Sequence, residues 1–205
     1  MSVRVHPTAH VEDGCIIGDG SSLWDHVHVR FGTRIGAECI VGGKSYIAYD
    51  VQIGNRCKIN SAVYICNGVT LEDGVMVSAG TIFTNERFPR AATSDLKQLR
   101  PSEPDEFTLQ TLVRCGATIG AGCIIGSGLT IGRWAMVGMG SVVTKDVPDF
   151  HLVLGSPARS AGAVCRCGHL LCMFSGNDVE AESHECSTCG LVYRRAGHSI
   201  SETSD

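Results

Sequence analysis

Residues 59–83 read INSAVYICNGVTLEDGVMVSAGTIF, and their beat is six. Ile59, Ile65, Leu71, Val77 and Phe83 fall at every sixth position. Extended backward, the same register meets Val5, Val11, Ile17, Leu23, Val29, Ile35, Val41, Ile47 and Ile53. Extended forward past a gap, it meets Val113, Ile119, Ile125, Ile131, Val137 and Val143. Every one of these positions is apolar in a chain that is 43% hydrophobic, so the period is a repeat signature. A second position, four residues after each, is small or β-branched, as at Cys15, Ser21, Thr33, Cys39, Ser45 and Cys57.

A six-residue period cannot give a helix with an apolar stripe, which needs a period of 3.6. It can give one short strand and a corner. Three such units close a triangular coil, and coils stack at about 4.8 Å, the spacing of paired strands. Each coil buries its aliphatic residues against its neighbours, so the structure is stable only as a stack. The repeats suffice for about seven coils, a prism roughly 30 Å long. Gly18, Gly36, Gly42 and Gly54 follow the aliphatic position directly, which suits corners with positive φ.

The 205 residues fit one domain with an appendage. The net charge is −4 and the basic residues are scattered, which excludes a nucleic-acid footprint. MSVRVHPTAH has no signal-peptide core and no apolar run spans a membrane, so the expectation is a cytoplasmic protein with no membrane partner. Cys15, Cys39, Cys57 and Cys123 occupy the small inward position as small hydrophobes, which is reduced, intracellular usage.

Stacking by 18 residues sets His28, Tyr46 and Tyr64 in one column, and Tyr49, Asn67 and Asn85 in the next. One edge of the prism therefore collects imidazole, phenols and amides. Residues 84–112, rich in Pro, Asp, Glu and Ser, interrupt the rhythm as an inserted loop, and such excursions are binding loops or surface insertions. The β-helix domain spans 1–160, and Pro148 and Pro157 are expected to end strand pairing. In 161–195, Cys165-Arg-Cys167-Gly and Cys186-Ser-Thr-Cys189-Gly are spaced like the knuckles of a zinc ribbon. Four thiolates leave no open position, so such a zinc is structural; Cys172, His169 and His184 are alternative ligands. Residues 196–205 are expected to be a disordered tail.

The hexads resemble those of the left-handed β-helix acyltransferases. VTLEDGVMVSAGTIFTNERFPRA, LVRCGATIGAGCIIGSGLTIG, MVGMGSVVTKDVPDFHLVLGSPAR and the cysteine extension narrow this likeness. Together they resemble the nucleotide-sugar N-acetyltransferases that acylate a 3-amino group on a nucleoside-diphosphate-linked hexose. The resemblance implies an all-β, left-handed parallel β-helix working as a homotrimer, with nucleotide-sugar and acetyl-CoA bound between subunits. It implies that Asn85 holds the sugar amine and that Arg87, Pro89 and Arg90 stand at the pocket mouth, beside Tyr49 and Asn67. Ser141, Lys145 and the turn containing Gly155, Pro157 and Arg159 match the segment that meets acyl-CoA.

None of the eight histidines lies between residues 29 and 150, and Asn85 cannot accept a proton at neutral pH. A neutral sugar amine attacks a thioester without help from a strong base, so orientation carries the catalysis, with His28 as the reserve base. The histidine gap argues against a γ-class carbonic anhydrase and against sugar O-acetylation, since an alcohol needs a base more than an amine does. A non-catalytic β-helix scaffold is the alternative of a different class.

Overall fold

A computed structural model describes residues 2–174 and 181–203 of the chain. Every regular element among them is a strand, and no helix is long and apolar enough to cross a membrane. Two-residue strands alternate with tight corners, one strand per hexad, and collect into three parallel sheets. The face that carries the site runs through seven strands, from His10–Val11 to Val142–Val143.

The register is the hexad register. Val29 pairs with Ile47 and Ile47 with Ile65, a step of 18 residues. Across the excursion Ile82 pairs with Ile124, a step of 42, so the insertion adds 24 residues to one coil without shifting the phase. The coil resumes at the strand Thr111–Val113, two residues inside the loop boundary expected from sequence. From Leu23 to Val143 the inward aliphatic residues are buried, each contributing about 1.5–3 kcal/mol. Val5 is 46% exposed because the first coil has no neighbour beneath it.

The small inward positions do more than fill space. Ser21 Oγ donates to Gly36 O and accepts the N–H of Cys39, and Ser45 makes the same pair with Asn60 O and Val63 N–H. The thiols of Cys39 and Cys57 donate to Gly54 O and Glu72 O. A side chain with one donor and one acceptor thus joins coil to coil at the corners.

The glycines after the aliphatic residues have a different reason from the one expected. From Val11 to Val77 and from Val113 to Val137, positive φ falls instead three residues after the aliphatic position, as at Gly14, Gly20, His26 and Glu38. Gly18 and Gly36 are glycine because a Cβ on either would lie 2.5 Å from backbone of the next coil.

Pro148 and Pro157 do not end strand pairing. His151–Gly155 adds a parallel rung on Met136–Val137, and the chain then reverses into the antiparallel strands Ala158–Val164 and Leu170–Met173. The prolines sit at turns, where no ladder N–H is needed. The expected boundary at residue 160 therefore falls inside a strand. Glu182–Glu185, Val192–Ala196 and Ser199–Glu202 form a separate three-stranded antiparallel sheet.

The expected disorder of 196–205 is corrected here. Ser199–Glu202 is a strand, Ile200 is buried against the cluster of Ala163, Cys165, Cys186 and Tyr193, and Thr203 N–H donates to Val192 O. One apolar residue in a polar segment was enough to dock it. Residues 204 and 205 lie outside the described residues.

His151 ties this segment to the solenoid. Its Nε2 lies 2.7 Å from His198 O, and Nδ1 lies 2.8 Å from Ser160 Oγ. A carbonyl only accepts, so Nε2 carries the proton and Nδ1 takes the serine hydroxyl. Burial pushes the His151 imidazole below its ordinary value of 6.5. The unfolded chain therefore binds this proton before the folded chain does, and the contribution of His151 to stability is full above 6.5 and declines below it. The thermal midpoint should fall from about pH 7.5 to about pH 5.5, with a slope that His151→Gln reduces. An identical slope in that variant would place the effect on other groups.

Candidate functional site

Two residues beyond each of the last six strands of the site face, the corner residues make a column: Phe31, Tyr49, Asn67, Asn85, Ser127 and Lys145. The order follows from the pairing of His28, Tyr46, Tyr64, Ile82, Ile124 and Val142. Phe31 and Tyr49 stack with ring planes 6° apart. Asn67 Nδ2 donates to Tyr49 O, and Asn85 Nδ2 donates to Asn67 O at 3.1 Å. The last bond holds the amide by its nitrogen: Asn85 Oδ1 is an acceptor with no hydrogen-bond partner among the described residues, and the residue lines a cavity.

That cavity, about 90 Å³, is walled by Tyr49, Asn85 and Glu86 on one side and by Arg100–Asp105 and Thr108 on the other. Ser102, Glu103 and Pro104 also border a wider cleft of about 460 Å³ with Arg30, Phe31 and Tyr49. The inserted loop is therefore the outer wall of a groove along the polar edge. Burial pushes the Tyr49 phenol above its ordinary value, so it stays neutral and can donate.

Arg100 holds the loop in place. Its Nη2 lies 3.2 Å from Glu86 and 3.4 Å from Asp105, and Nη1 donates to Phe88 O. Sequence reasoning passed over Arg100, because loop positions carry no period, and Ser127, because the insertion lengthens the step from Asn85 to 42 residues. Arg87 and Pro89 are exposed near the loop's base, and Arg90 lines a separate cleft with Thr93, Leu96 and Arg100. The structure thus gathers Tyr49, Asn67 and Asn85 but sets Arg90 apart from their cavity. Arg100→Ala should loosen the loop by about 1 kcal/mol, seen as roughly fivefold faster amide exchange over residues 86–108. Unchanged protection there would mean that the clamp is idle.

Of the residues matched to acyl-CoA, Lys145 is exposed in the Asn85 column, two coils away or about 10 Å. Gly155, Pro157 and Arg159 lie exposed at the hairpin tip. Ser141 is buried, and its hydroxyl accepts the Gly155 N–H at 3.1 Å. It anchors the tip and does not face solvent.

His28 stands three coils from the level of Asn85, about 14 Å along the prism, so the two cannot serve one reacting amine within this chain. Its Nε2 lies 2.8 Å from Glu12 Oε1. Glu12 is also paired with Arg30 and accepts the Phe31 N–H; the Arg30 guanidinium chiefly holds its carboxyl down at about 2.

Cys165, Cys167, Cys186 and Cys189 converge, their sulfurs all within 4.8 Å of one another. Cys165 and Cys189 are 3.4 Å apart, and Cys167 and Cys186 are 3.5 Å apart. Sulfurs around a tetrahedral zinc sit about 3.8 Å apart, so the set fits one ion with small adjustments. Each knuckle turns through a positive-φ glycine, Gly168 or Gly190, whose N–H donates back to the first cysteine's carbonyl. Tyr193 Oη packs 3.2 Å from Cys165 Sγ and accepts the Arg166 N–H. His184 lies apart, beside Glu182.

A family profile described as the hexapeptide repeat of succinyl-transferase matches residues 32–67, 60–85 and 115–145. Over 99 residues, 48% of this chain, the sequence is 39% identical to a dTDP-3-amino-3,6-dideoxy-alpha-D-galactopyranose 3-N-acetyltransferase of Aneurinibacillus thermoaerophilus. The chain spans about half the length of that relative, 47% of it. Its fold is similar to AntD, an N-acyltransferase from Bacillus cereus. A single-substitution variant of AntD with dTDP and coenzyme A matches with a TM-score of 0.52 at 21% identity, covering 80% of this chain and 84% of that one. AntD with dTDP and 3-hydroxybutyryl-CoA matches with a TM-score of 0.50 at 20% identity, covering 81% and 82%. Repeat, register and matches agree that this chain is a hexapeptide-repeat β-solenoid protein.

Proposed function

We propose that the chain is an acetyl-CoA-dependent N-acetyltransferase that acylates the amino group of a nucleoside-diphosphate-linked sugar, a 3-amino hexose. The observation that carries this reading is Asn85, pinned through its amide nitrogen, with Oδ1 unpartnered among the described residues, in the lining of a cavity walled by the inserted loop. An acceptor held in this way orients an amine N–H and leaves the nitrogen lone pair free to attack. The N–C bond forms as the C–S bond of the thioester breaks, and the departing thiolate takes the amine proton. Positioning of this kind accounts for large rate factors without a strong base. Among the described residues no histidine lines the cavity, which favours an amine acceptor over a hydroxyl.

In this reading the nucleotide-sugar lies along Phe31, Tyr49 and Asn67, and the acyl-CoA comes from the opposite end, past Lys145 and the Gly155–Arg159 tip. Arg87 and Arg90 meet charge at the loop's edge. Exposed Tyr64, Ile82 and Ile124 make an apolar stripe on the site face, which suits packing against a second and third copy in a homotrimer. The cysteine cluster holds structural zinc, and the reduced thiols that bridge coils fit the cytoplasm.

The test is release of CoA thiol from acetyl-CoA over dTDP- and UDP-linked 3-amino and 4-amino sugars. Turnover with a 3-amino sugar is the expected result. No turnover with any amine, together with no CoA binding by calorimetry, would leave the scaffold reading in its place.

A further inference from the structure

The groove does not stop at Phe31. Beyond it, in the first two coils, His10, Val11, Glu12 and Asp13 line a further cleft with Phe31. His10 and His28 face outward on neighbouring strands in direct register, their rings 4.8 Å apart and edge to face. Glu12 reaches the same point: its carboxylate and the two imidazoles offer ligand atoms that all lie within 4.8 Å of one another. We propose that His10, Glu12 and His28 form a divalent transition-metal site, separate from the four-cysteine cluster.

Three features support it. Two imidazoles and one carboxylate suit Zn²⁺, Ni²⁺, Co²⁺ or Cu²⁺, and are too soft a set for Mg²⁺ or Ca²⁺. The 2.8 Å between His28 Nε2 and Glu12 Oε1 is already near the roughly 3.0 Å that separates adjacent ligands about 2.1 Å from an octahedral ion such as Ni²⁺. The carboxylate is held on its far oxygen by the Phe31 N–H to Oε2, as metal-bound carboxylates usually are, while Arg30 Nε shares Oε1 with His28. The His10 imidazole has no hydrogen bond to any described residue, and the ring can turn toward the ion without losing one. An ion entering here replaces the His28 N–H contact to Glu12, so His28 binds as the tautomer protonated on Nδ1. Arg30 lies against the same carboxylate and opposes a second positive charge, which predicts micromolar rather than nanomolar binding.

The experiment uses the full chain supplied with one equivalent of Zn²⁺, which the thiolates prefer, and then titrated with Ni²⁺ in a calorimeter. The expected result is one saturable Ni²⁺ per chain. His10→Ala and His28→Ala should weaken it at least about tenfold. His6→Ala, which removes a histidine outside the triad, should leave it unchanged. Thermal melting of each variant establishes that the solenoid is intact. Absence of saturable Ni²⁺ binding, or equal binding in both triad variants, overturns the site.

Discussion

Asn85→Ala should turn over the proposed amino-sugar acceptor about 10- to 1000-fold more slowly than the parent, with the loss on kcat. The side chain touches the fold through one hydrogen bond, Nδ2 to Asn67 O, on the half-buried corner of a coil. Losing it costs about 1 kcal/mol of stability, too little to unfold a prism whose aliphatic ladders are intact. What disappears is the acceptor that aligns the amine. The nucleotide and sugar contacts proposed along Phe31 and Tyr49 do not involve the Asn85 side chain, so KM for the nucleotide-sugar should move little. The loss therefore belongs to orientation in the transition state. A parent-like rate in Asn85→Ala sinks the assigned role. A pH–rate profile that shifts in His28→Ala would instead argue for a base, against the three coils that separate His28 from Asn85.

The repeat made most of the fold legible because a period of six constrains every coil at once. Register, the inward pattern and even the columns follow from adding 18, so Tyr49, Asn67 and Asn85 were assembled on paper as they are in space. The insertion keeps that phase, and Ile124 resumes where Ile82 stopped. Sequence reasoning failed where the period gives no information. Ser141 belongs to the expected acyl-CoA segment, yet its place in the hexad is the small inward position, which should have marked it as buried. Arg100 was hidden because a clamp across a loop depends on that loop's path and has no spacing to betray it. The tail looked disordered because only Ile200 among its polar residues has a partner in the core. His10, Glu12 and His28 were separately visible; what escaped notice was that strand register brings two of them face to face.

Removing metal from the cysteine cluster should unfold the C-terminal sheet and leave the solenoid standing. Three short antiparallel strands enclose a core of Ala163, Cys165, Cys186, Tyr193 and Ile200, too little apolar surface to be stable alone. Binding of structural zinc supplies about 10–16 kcal/mol in small peptides, and here that energy would be folding energy for this sheet. Cys186→Ser, or a strong chelator, is therefore expected to remove a low-temperature melting transition and to open residues 182–203 to protease. The higher transition of the coils should stay in place. Zinc content below one ion per chain in the purified protein, with Cys186→Ser melting like the parent, would show that thiol packing alone suffices. The effect on catalysis can be derived from the same connection. The strand Ala158–Val164 leads from the hairpin tip directly into Cys165, so loss of the sheet untethers the far end of one arm of the turn holding Gly155, Pro157 and Arg159 and leaves that arm to its pairing with His151–Gly155 and Leu170–Met173. The other arm stays anchored by Ser141 and by pairing to Met136–Val137. KM for acyl-CoA should rise several-fold while KM for the nucleotide-sugar, bound coils away against the inserted loop, stays constant. Equal changes in both constants would mean that the metal site supports the whole prism rather than the acyl-CoA end of the groove.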